Sequence, residues 1–211
     1  MSFSTFPPVK NSSAKVYTST MIAALGGLLF GFDTAVNTAL EAIDRIRDTS
    51  ESHDRVFVVE VMGRDCGFIA LSVALAGGCE DVFIPEIPID LETSCHDIVH
   101  GNLIGKVSWI IVVAEGAGKA VDIAKKITEM TSLETRAITL GHIQRGGRPT
   151  AFSRDLALRL GKEAVDLLLA GQKDKAVGFG AGKIVSVDFE TAIRKKELKI
   201  ENILKLIKTL T

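Results

Sequence analysis

The stretch that decides the fold is VFVVEVMGRDCGFIALSVAL, residues 56–75. Its first six residues form a nearly continuous β-branched run, which is typical of a strand covered on both faces by other elements. The loop MGRDCG follows, and the small apolar residues at positions 68–75 then predict a helix that ends at Gly77 and Gly78. A strand, a loop and a helix in direct succession indicate one unit of an α/β fold.

The same alternation continues along the chain on both sides of this stretch. The segment TAVNTALEAIDRIR has apolar residues at helical spacing, and WIIVVA is a second run typical of a buried strand. We predict further strands at residues 82–84, 109–114 and 136–140, and further helices at residues 34–47, 117–130, 153–169 and within 190–210. Strands that alternate with helices imply a parallel sheet flanked by helices, so the predicted fold class is α/β.

Composition and charge narrow the classes of function. The 211 residues are 46% hydrophobic and 24% charged, which is typical of a globular chain. The formal net charge of −1 gives no bulk electrostatic reason to expect nucleic acid or an anionic membrane as partner, so any anion site must come from a local basic cluster. Cys66, Cys79 and Cys95 show no metal-ligand or redox spacing, which favours a reducing intracellular compartment.

Polar residues follow three predicted strands at the end where parallel α/β sheets bind ligands. Arg64 follows the first strand, Glu115 follows WIIVVA, and the loop GHIQRGG at residues 141–147 carries His142 and Arg145. Arginine suits a phosphate because its planar fork bonds bidentately, and a carboxylate can accept hydrogen bonds from sugar hydroxyls. The alternative is that these are ordinary surface cations and a solvated acid.

Two further arginines stand at the opposite ends of strands. Arg55 immediately precedes the first strand, and Arg136 begins the strand that leads into the 141–147 loop. Within one subunit they should therefore lie away from Arg64 and Arg145. Two sets of cations at opposite strand ends suggest a site that a symmetry-related neighbour completes.

The N-terminal residues differ in character from the rest. Residues up to about Lys15 are rich in Ser, Pro and Phe and predict a disordered tail. The uncharged segment VYTSTMIAALGGLLFGF at residues 16–32 predicts a helix from its Ala, Leu, Ile and Met content. It falls slightly short of the roughly 20 apolar residues that a membrane span needs. The sequence therefore allows two interpretations, a membrane-type segment and a hydrophobic segment buried in the core.

From about Gly31 the chain resembles the bacterial-type 6-phosphofructokinase family, in its C-terminal, sugar-phosphate-binding half. The resemblance rests on VVEVMGRDCGFIAL, AGGCEDVFIPE, VVAEG and LGHIQRGGRPTAFSRDLALRLGKEAVDLLLAG, in this order. It implies that fructose 6-phosphate is bound by Met62, Gly63, Arg64, Glu115, His142 and Arg145. It implies further that Arg55 and Arg136 reach the phosphate of a neighbouring subunit of a homotetramer, and that effectors bind at Arg47, Glu80 and Lys106.

Upstream of Gly31 the chain instead resembles the first membrane helix of major-facilitator sugar transporters, through AALGGLLFGFDTAV. The two resemblances divide the chain into residues 1–30, a tail with a hydrophobic helical appendage, and residues 31–211, a truncated sugar-phosphate-binding domain. The GGD and GGDG motifs that bind nucleotide and magnesium in the kinase family do not occur in this sequence. The family's PGT-x-DND segment, which supplies the catalytic base, does not occur either.

The resemblance implies phosphoryl transfer from ATP to fructose 6-phosphate in glycolysis, with magnesium as cofactor and the cytoplasm as location. Pyrophosphate is the alternative donor, since the residues that discriminate the two belong to the absent motifs. Because positioning and charge stabilisation carry phosphoryl transfer, we expect the chain to be inactive alone, with Arg64 left to stabilise transition-state charge. The alternative is a non-catalytic fructose 6-phosphate-binding remnant or chimeric fragment, associated with a membrane through its N-terminal segment.

Overall fold

The computed structural model describes residues 13–50, 55–193 and 200–210, and in the first helix it describes side chains for residues 31–49. The helices are α1 (Ser13–Ser50), α2 (Phe68–Ala76), α3 (Leu91–Leu103), α4 (Ala120–Thr131), α5 (Ala151–Leu169), α6 (Phe189–Ala192) and α7 (Ile200–Leu210). The strands are β1 (Arg55–Val61), β2 (Asp81–Phe83), β3 (Ser108–Ala114), β4 (Thr135–Thr139), β5 (Lys175–Gly180) and β6 (Lys183–Asp188), and a short 3-10 helix spans Gly141–Gln144. The chain forms two compact units, Gly31–Arg148 with Glu197–Thr211, and Met1–Phe30 with Pro149–Lys196.

Four parallel strands form the sheet of the first unit, in the order β2-β3-β1-β4. The predicted parallel α/β fold is therefore confirmed. The observed strands begin or end one residue away from the predicted bounds. Leu140, for example, leaves the predicted last strand because its backbone is already helical, with φ −74° and ψ −36°, and leads into the 3-10 helix. In the register of the sheet Val61 lies opposite Ala114, and Glu60 lies opposite Thr139.

The central strand β1 is buried on both of its faces. Phe57, Val59 and Val61 belong to a core shared with α1, α2 and α7. Val56 and Val58 point to the other face and belong to a core shared with α3 and α4. Because neighbouring residues of a strand face opposite sides of the sheet, a continuous apolar run is what a strand between two helical layers requires.

Helix α1 reaches further than the helix predicted at residues 34–47. Its residues Ala39, Ile43 and Ile46 are buried in the core on one face of the sheet. A disordered tail is predicted up to about Lys15, whereas α1 begins at Ser13. Residues 16–32, for which the sequence predicts a separate helix, fall within α1. Residues 1–12 and the side chains of α1 before residue 31 lie outside the described residues.

The second unit contains an antiparallel hairpin that the sequence analysis misses. Strands β5 and β6 pair along their whole length, and Ala181 and Gly182, with φ of 51° and 78°, form the two-residue turn between them. The turn lacks the usual Asn-Gly or Asp-Gly signal, and a left-handed Ala is uncommon. Leu156 and Leu160 of α5 share a small apolar cluster with Val177 of β5.

The helices predicted within residues 190–210 are confirmed as α6 and α7.

Candidate functional site

Three of the loops at the carboxyl edge of the four-stranded sheet carry the predicted site residues. Residues 62–67 follow β1, residues 115–119 follow β3, and residues 140–150, with the 3-10 helix, follow β4. Since β1 pairs in parallel with both β3 and β4, all three loops begin at the same edge. This is the edge at which the sequence analysis places Met62, Gly63, Arg64, Glu115, His142 and Arg145.

Glu115 connects two of these loops through its carboxylate. Its Oε1 accepts hydrogen bonds from the backbone N–H groups of Gly63, at 3.3 Å, and Arg64, at 3.1 Å. Its own backbone N–H donates to the Val61 carbonyl at 2.9 Å, which continues the pairing of β3 with β1 past the last strand residue. The half-buried carboxylate therefore holds the backbone that presents the exposed Arg64.

A close backbone approach joins the same two loops. A Cβ atom at Gly116 would lie 1.4 Å from the Arg64 carbonyl oxygen, so only glycine fits at this position. Arg64 itself has a φ of 39°, in the left-handed region that non-glycine residues rarely adopt. Such strain persists only where surrounding contacts enforce it, and here Glu115 and Gly116 supply those contacts.

Hydrogen bonds at both ends of its 3-10 helix anchor the 141–147 loop, one to β1 and one to the loop that follows β1. The backbone N–H of Leu140 donates to the Glu60 carbonyl at 3.0 Å. At the other end, the side chain of Gln144 accepts a hydrogen bond from the Met62 backbone N–H at 2.8 Å. These contacts place the loop that carries the exposed His142 and Arg145 directly beside the 62–64 loop.

Glu60 is a charged residue at the centre of the sheet that the sequence analysis misses. It is 5% exposed, and its carboxylate accepts from the Ala120 backbone N–H at 2.9 Å and pairs with Lys119 Nζ at 3.1 Å. A carboxylate at the first residue of α4 interacts favourably with the helix dipole, and hydrogen bonds offset the cost of burying its charge. The signal in the sequence is a lone acid within an otherwise apolar strand, since such residues are rarely buried unpaired.

Arg55 and Arg136 lie at the opposite, amino edge of the sheet, where they flank Glu134. Arg55 Nε lies 2.9 Å from Glu134 Oε2, and Arg136 Nε lies 2.8 Å from Glu134 Oε1. Hydrogen bonds from Arg136 and then Arg55 hold the pKa of the Glu134 carboxyl below its ordinary value. The structure thus separates these two arginines from Arg64 within one subunit, and it adds a shared carboxylate that the sequence analysis does not identify.

The three predicted effector residues all have partners within the protein. Arg47 Nη2 donates to the carbonyls of the two glycines that follow α2, at 2.6 and 2.8 Å. Lys106 pairs with Glu80 at 3.2 Å, and its Nζ lies 4.6 Å from the centroid of the Trp109 ring. An incoming anion would have to compete with these contacts.

The sheet and its edge loops define a parallel α/β protein with polar and cationic side chains gathered at the carboxyl edge. The chain belongs to the phosphofructokinase family, which matches residues 27–168. An ATP-dependent 6-phosphofructokinase of Natranaerobius thermophilus is 54% identical over 167 residues, which are 79% of this chain and 52% of that protein. The enzyme of the same description from Clostridium acetobutylicum is 52% identical over 163 residues, covering 77% of this chain and 51% of that protein.

A solved structure shows the same likeness. The structure of phosphofructokinase from Saccharomyces cerevisiae superposes with a TM-score of 0.70 at 33% identity, covering 86% of this chain and 25% of that chain. The chain spans about half the length of the curated relatives that it matches.

The transporter-like, hydrophobic appendage proposed for residues 1–30 finds no support. The phosphofructokinase match begins at residue 27, inside the string AALGGLLFGFDTAV and four residues before Gly31. In the part of the chain that the structure describes, no helix has the length and apolar character to cross a membrane. The resemblance to a membrane helix rests on small and apolar residues, which a helix packed on a protein core also requires.

The close approach at Gly116 makes a prediction about stability. The substitution Gly116→Ala should destabilise the fold, because its Cβ would collide with the Arg64 carbonyl oxygen, and overpacking typically costs about 1–3 kcal/mol. The loss of stability is measured as the change in the free energy of unfolding in urea. Gly161→Ala is the matched control: a Cβ there meets nothing within 4 Å, and Ala should stabilise the interior of α5 by roughly 0.5–1 kcal/mol. Equal stability of the Gly116→Ala and wild-type proteins would contradict the close approach.

The Glu134 cluster makes a prediction about pH. Arg136→Met should raise the pKa of Glu134 more than Arg55→Met does, because Arg136 contributes the larger part of the downward shift. An NMR titration of the Glu134 carboxyl carbon measures both changes. In the wild-type protein the stabilisation from this cluster is present above the ordinary pKa of 4.5 and is lost as the pH falls through the lowered pKa of the folded state.

The control for this titration is Arg159→Met, which removes an arginine paired with Asp155 instead. It should leave the pKa of Glu134 unchanged. A pKa of Glu134 that also stays unchanged in the Arg136→Met and Arg55→Met proteins would show that the cluster does not form in solution.

Proposed function

We propose that this chain binds fructose 6-phosphate at the carboxyl edge of its sheet. The observation that carries the proposal is the contact of Glu115 with the 62–64 loop, in which one carboxylate oxygen holds two consecutive backbone N–H groups. A carboxylate and an arginine-bearing loop then form one polar site, which suits a ligand with both hydroxyl and phosphate groups. The proposed binding residues are Met62, Gly63, Arg64, Glu115, His142 and Arg145.

Four of these residues offer side chains whose chemistry suits the ligand. Arg64 and Arg145 are exposed, and their guanidinium groups can bond phosphoryl oxygens in pairs. The exposed His142 can donate from its ring N–H. Glu115 uses Oε1 for the two backbone bonds, so Oε2 is the atom that we assign to a sugar hydroxyl.

Arg55 and Arg136 belong, in this proposal, to a site shared with a neighbouring copy of the chain. They flank Glu134 at the amino edge, and a phosphate would replace that carboxylate between the two guanidinium groups. The two arginines would then exchange charged hydrogen bonds to a carboxylate for charged hydrogen bonds to a phosphate. A homo-oligomer is therefore part of the proposal, and the family resemblance makes it a tetramer.

The reaction that we associate with this chain is phosphoryl transfer from ATP with magnesium, because the curated relatives are named ATP-dependent 6-phosphofructokinases. Among the described residues, no group of three or more His, Cys, Asp or Glu side chains could hold a metal ion. The family's donor and base motifs do not occur in the sequence. We therefore assign no transfer step to this chain beyond charge stabilisation by Arg64, and we propose that it is inactive alone.

We also propose an effector site and a cellular location. Arg47, Glu80 and Lys106 are proposed as an effector site because they lie around the short connection between α2 and β2, where charged groups of both signs meet. The cytoplasm is the proposed location, and the three free cysteines agree with a reducing compartment.

The proposal predicts binding without turnover. In titration calorimetry fructose 6-phosphate should bind the full chain, and Arg145→Met or Arg64→Met should weaken binding by roughly tenfold to a hundredfold, since a lost charged hydrogen bond typically costs about 1.5–3 kcal/mol. Arg159→Met, an exposed arginine of α5 paired with Asp155, should leave the affinity unchanged. A coupled assay with magnesium and either ATP or pyrophosphate should detect no phosphorylation.

Two results would contradict this reading. Equal affinity of the Arg145→Met, Arg64→Met and wild-type proteins would place the ligand elsewhere. Sustained turnover by a preparation that mass spectrometry shows to contain only this chain would make it an active enzyme rather than a binding protein.

A further inference from the structure

Gln144 is a fully buried polar side chain in a loop that is otherwise largely exposed. It is 0% exposed, whereas its neighbours His142, Ile143 and Arg145 are all exposed. A ligand at the surface of this loop therefore meets the neighbours and not Gln144. A buried amide must satisfy its donors and acceptor within the protein, because leaving them unpaired is costly.

The amide of Gln144 is bonded at both ends, to two different parts of the fold. Its Oε1 accepts from the Met62 backbone N–H at 2.8 Å. Its Nε2 donates to the Ala35 carbonyl of α1 at 3.2 Å. A backbone carbonyl has two lone pairs, so Ala35 can accept this bond in addition to a helical one. The side chain thus joins the 141–147 loop to the first loop of the candidate site and to a core helix.

We infer that Gln144 is a positioning residue for the candidate site: it sets the distance between the 142–145 loop and the 62–64 loop. The inference rests on the proposed function, because it concerns binding of fructose 6-phosphate at those loops. Without Gln144, the loop would keep its backbone bond at Leu140 but would lose its link to Met62. His142 and Arg145 could then no longer be held at a fixed distance from Arg64.

The chemistry of this position requires an amide. One end of the side chain meets a donor and the other meets an acceptor. A methionine side chain at position 144 has a similar length but offers no strong hydrogen-bond donor or acceptor. An ionised glutamate there offers acceptors only. Gln144→Met should therefore break both links, and Gln144→Glu should keep the Met62 link and lose the Ala35 link.

The experiment uses the full chain and two readouts. The first is the affinity for fructose 6-phosphate, measured well below the unfolding temperature. The second is hydrogen exchange of the Met62 backbone N–H, measured by NMR. For Gln144→Met we expect affinity to fall about tenfold or more and the exchange at Met62 to rise by a similar factor, as for the loss of buried hydrogen bonds. Gln144→Glu should retain slow exchange at Met62 and have an intermediate affinity.

Two controls separate positioning from stability. Gln172→Met changes an exposed glutamine and should alter neither readout. Ile43→Ala removes a side chain that is 0% exposed in the same core as β1 and α1, so it should lower the unfolding temperature while the folded protein keeps its affinity. If Gln144→Met behaves like Ile43→Ala, with lower stability and unchanged affinity, the inference is overturned.

The outcomes also separate this inference from the proposed function. If the wild-type protein binds no fructose 6-phosphate, the proposed function fails, and the exchange at Met62 alone decides whether Gln144 holds the two loops together. If Gln144→Met does not fold, Gln144→Glu carries the test: a wild-type affinity in that variant overturns the inference, and a weakened affinity with slow exchange at Met62 supports it.

Discussion

Strand β1 runs between β3 and β4 with both faces buried, and the rest of the structure depends on that position. Its alternate residues enter two separate apolar cores, so both helical layers of the first unit pack against the same strand. Parallel pairing on its two sides brings the loops after β1, β3 and β4 to one edge. The same pairing brings Arg55 and Arg136 to the other edge. The site and its separation from the second cationic cluster are both consequences of this arrangement.

Two buried polar side chains and one half-buried carboxylate then hold the loops at this edge. Glu60 fixes the start of α4, Glu115 holds the backbone of the 62–64 loop, and Gln144 links that loop to its neighbour. All three accept hydrogen bonds from backbone N–H groups. Such bonds are strong in a low-dielectric interior, and their loss is correspondingly costly. The loops that carry the exposed cations of the candidate site are therefore held in place by hydrogen bonds to the packed core, as a preorganised binding site requires.

The sequence predicts the sheet well and its polar contacts poorly, for a physical reason. Burial on both faces leaves a continuous apolar run, which is visible in residues 56–61, and strand-end positions follow from chain direction. The strand order depends on packing between distant segments. Gln144 bonds partners 82 and 109 positions away, and nothing in its neighbours indicates them. Glu134 is two residues from Arg136, yet its role emerges only when β4 lies beside β1. The hairpin of the second unit is missed because its turn uses a left-handed Ala181.

The most direct test of the central claim is an NMR titration of the full chain with fructose 6-phosphate, followed through its backbone amide resonances. We expect the resonances of Gly63, Arg64, Glu115 and the 142–145 loop to shift together and to saturate with one dissociation constant. Resonances of the β5–β6 hairpin should not shift. Shifts confined to that hairpin, or the absence of any shift at millimolar ligand, would contradict the account.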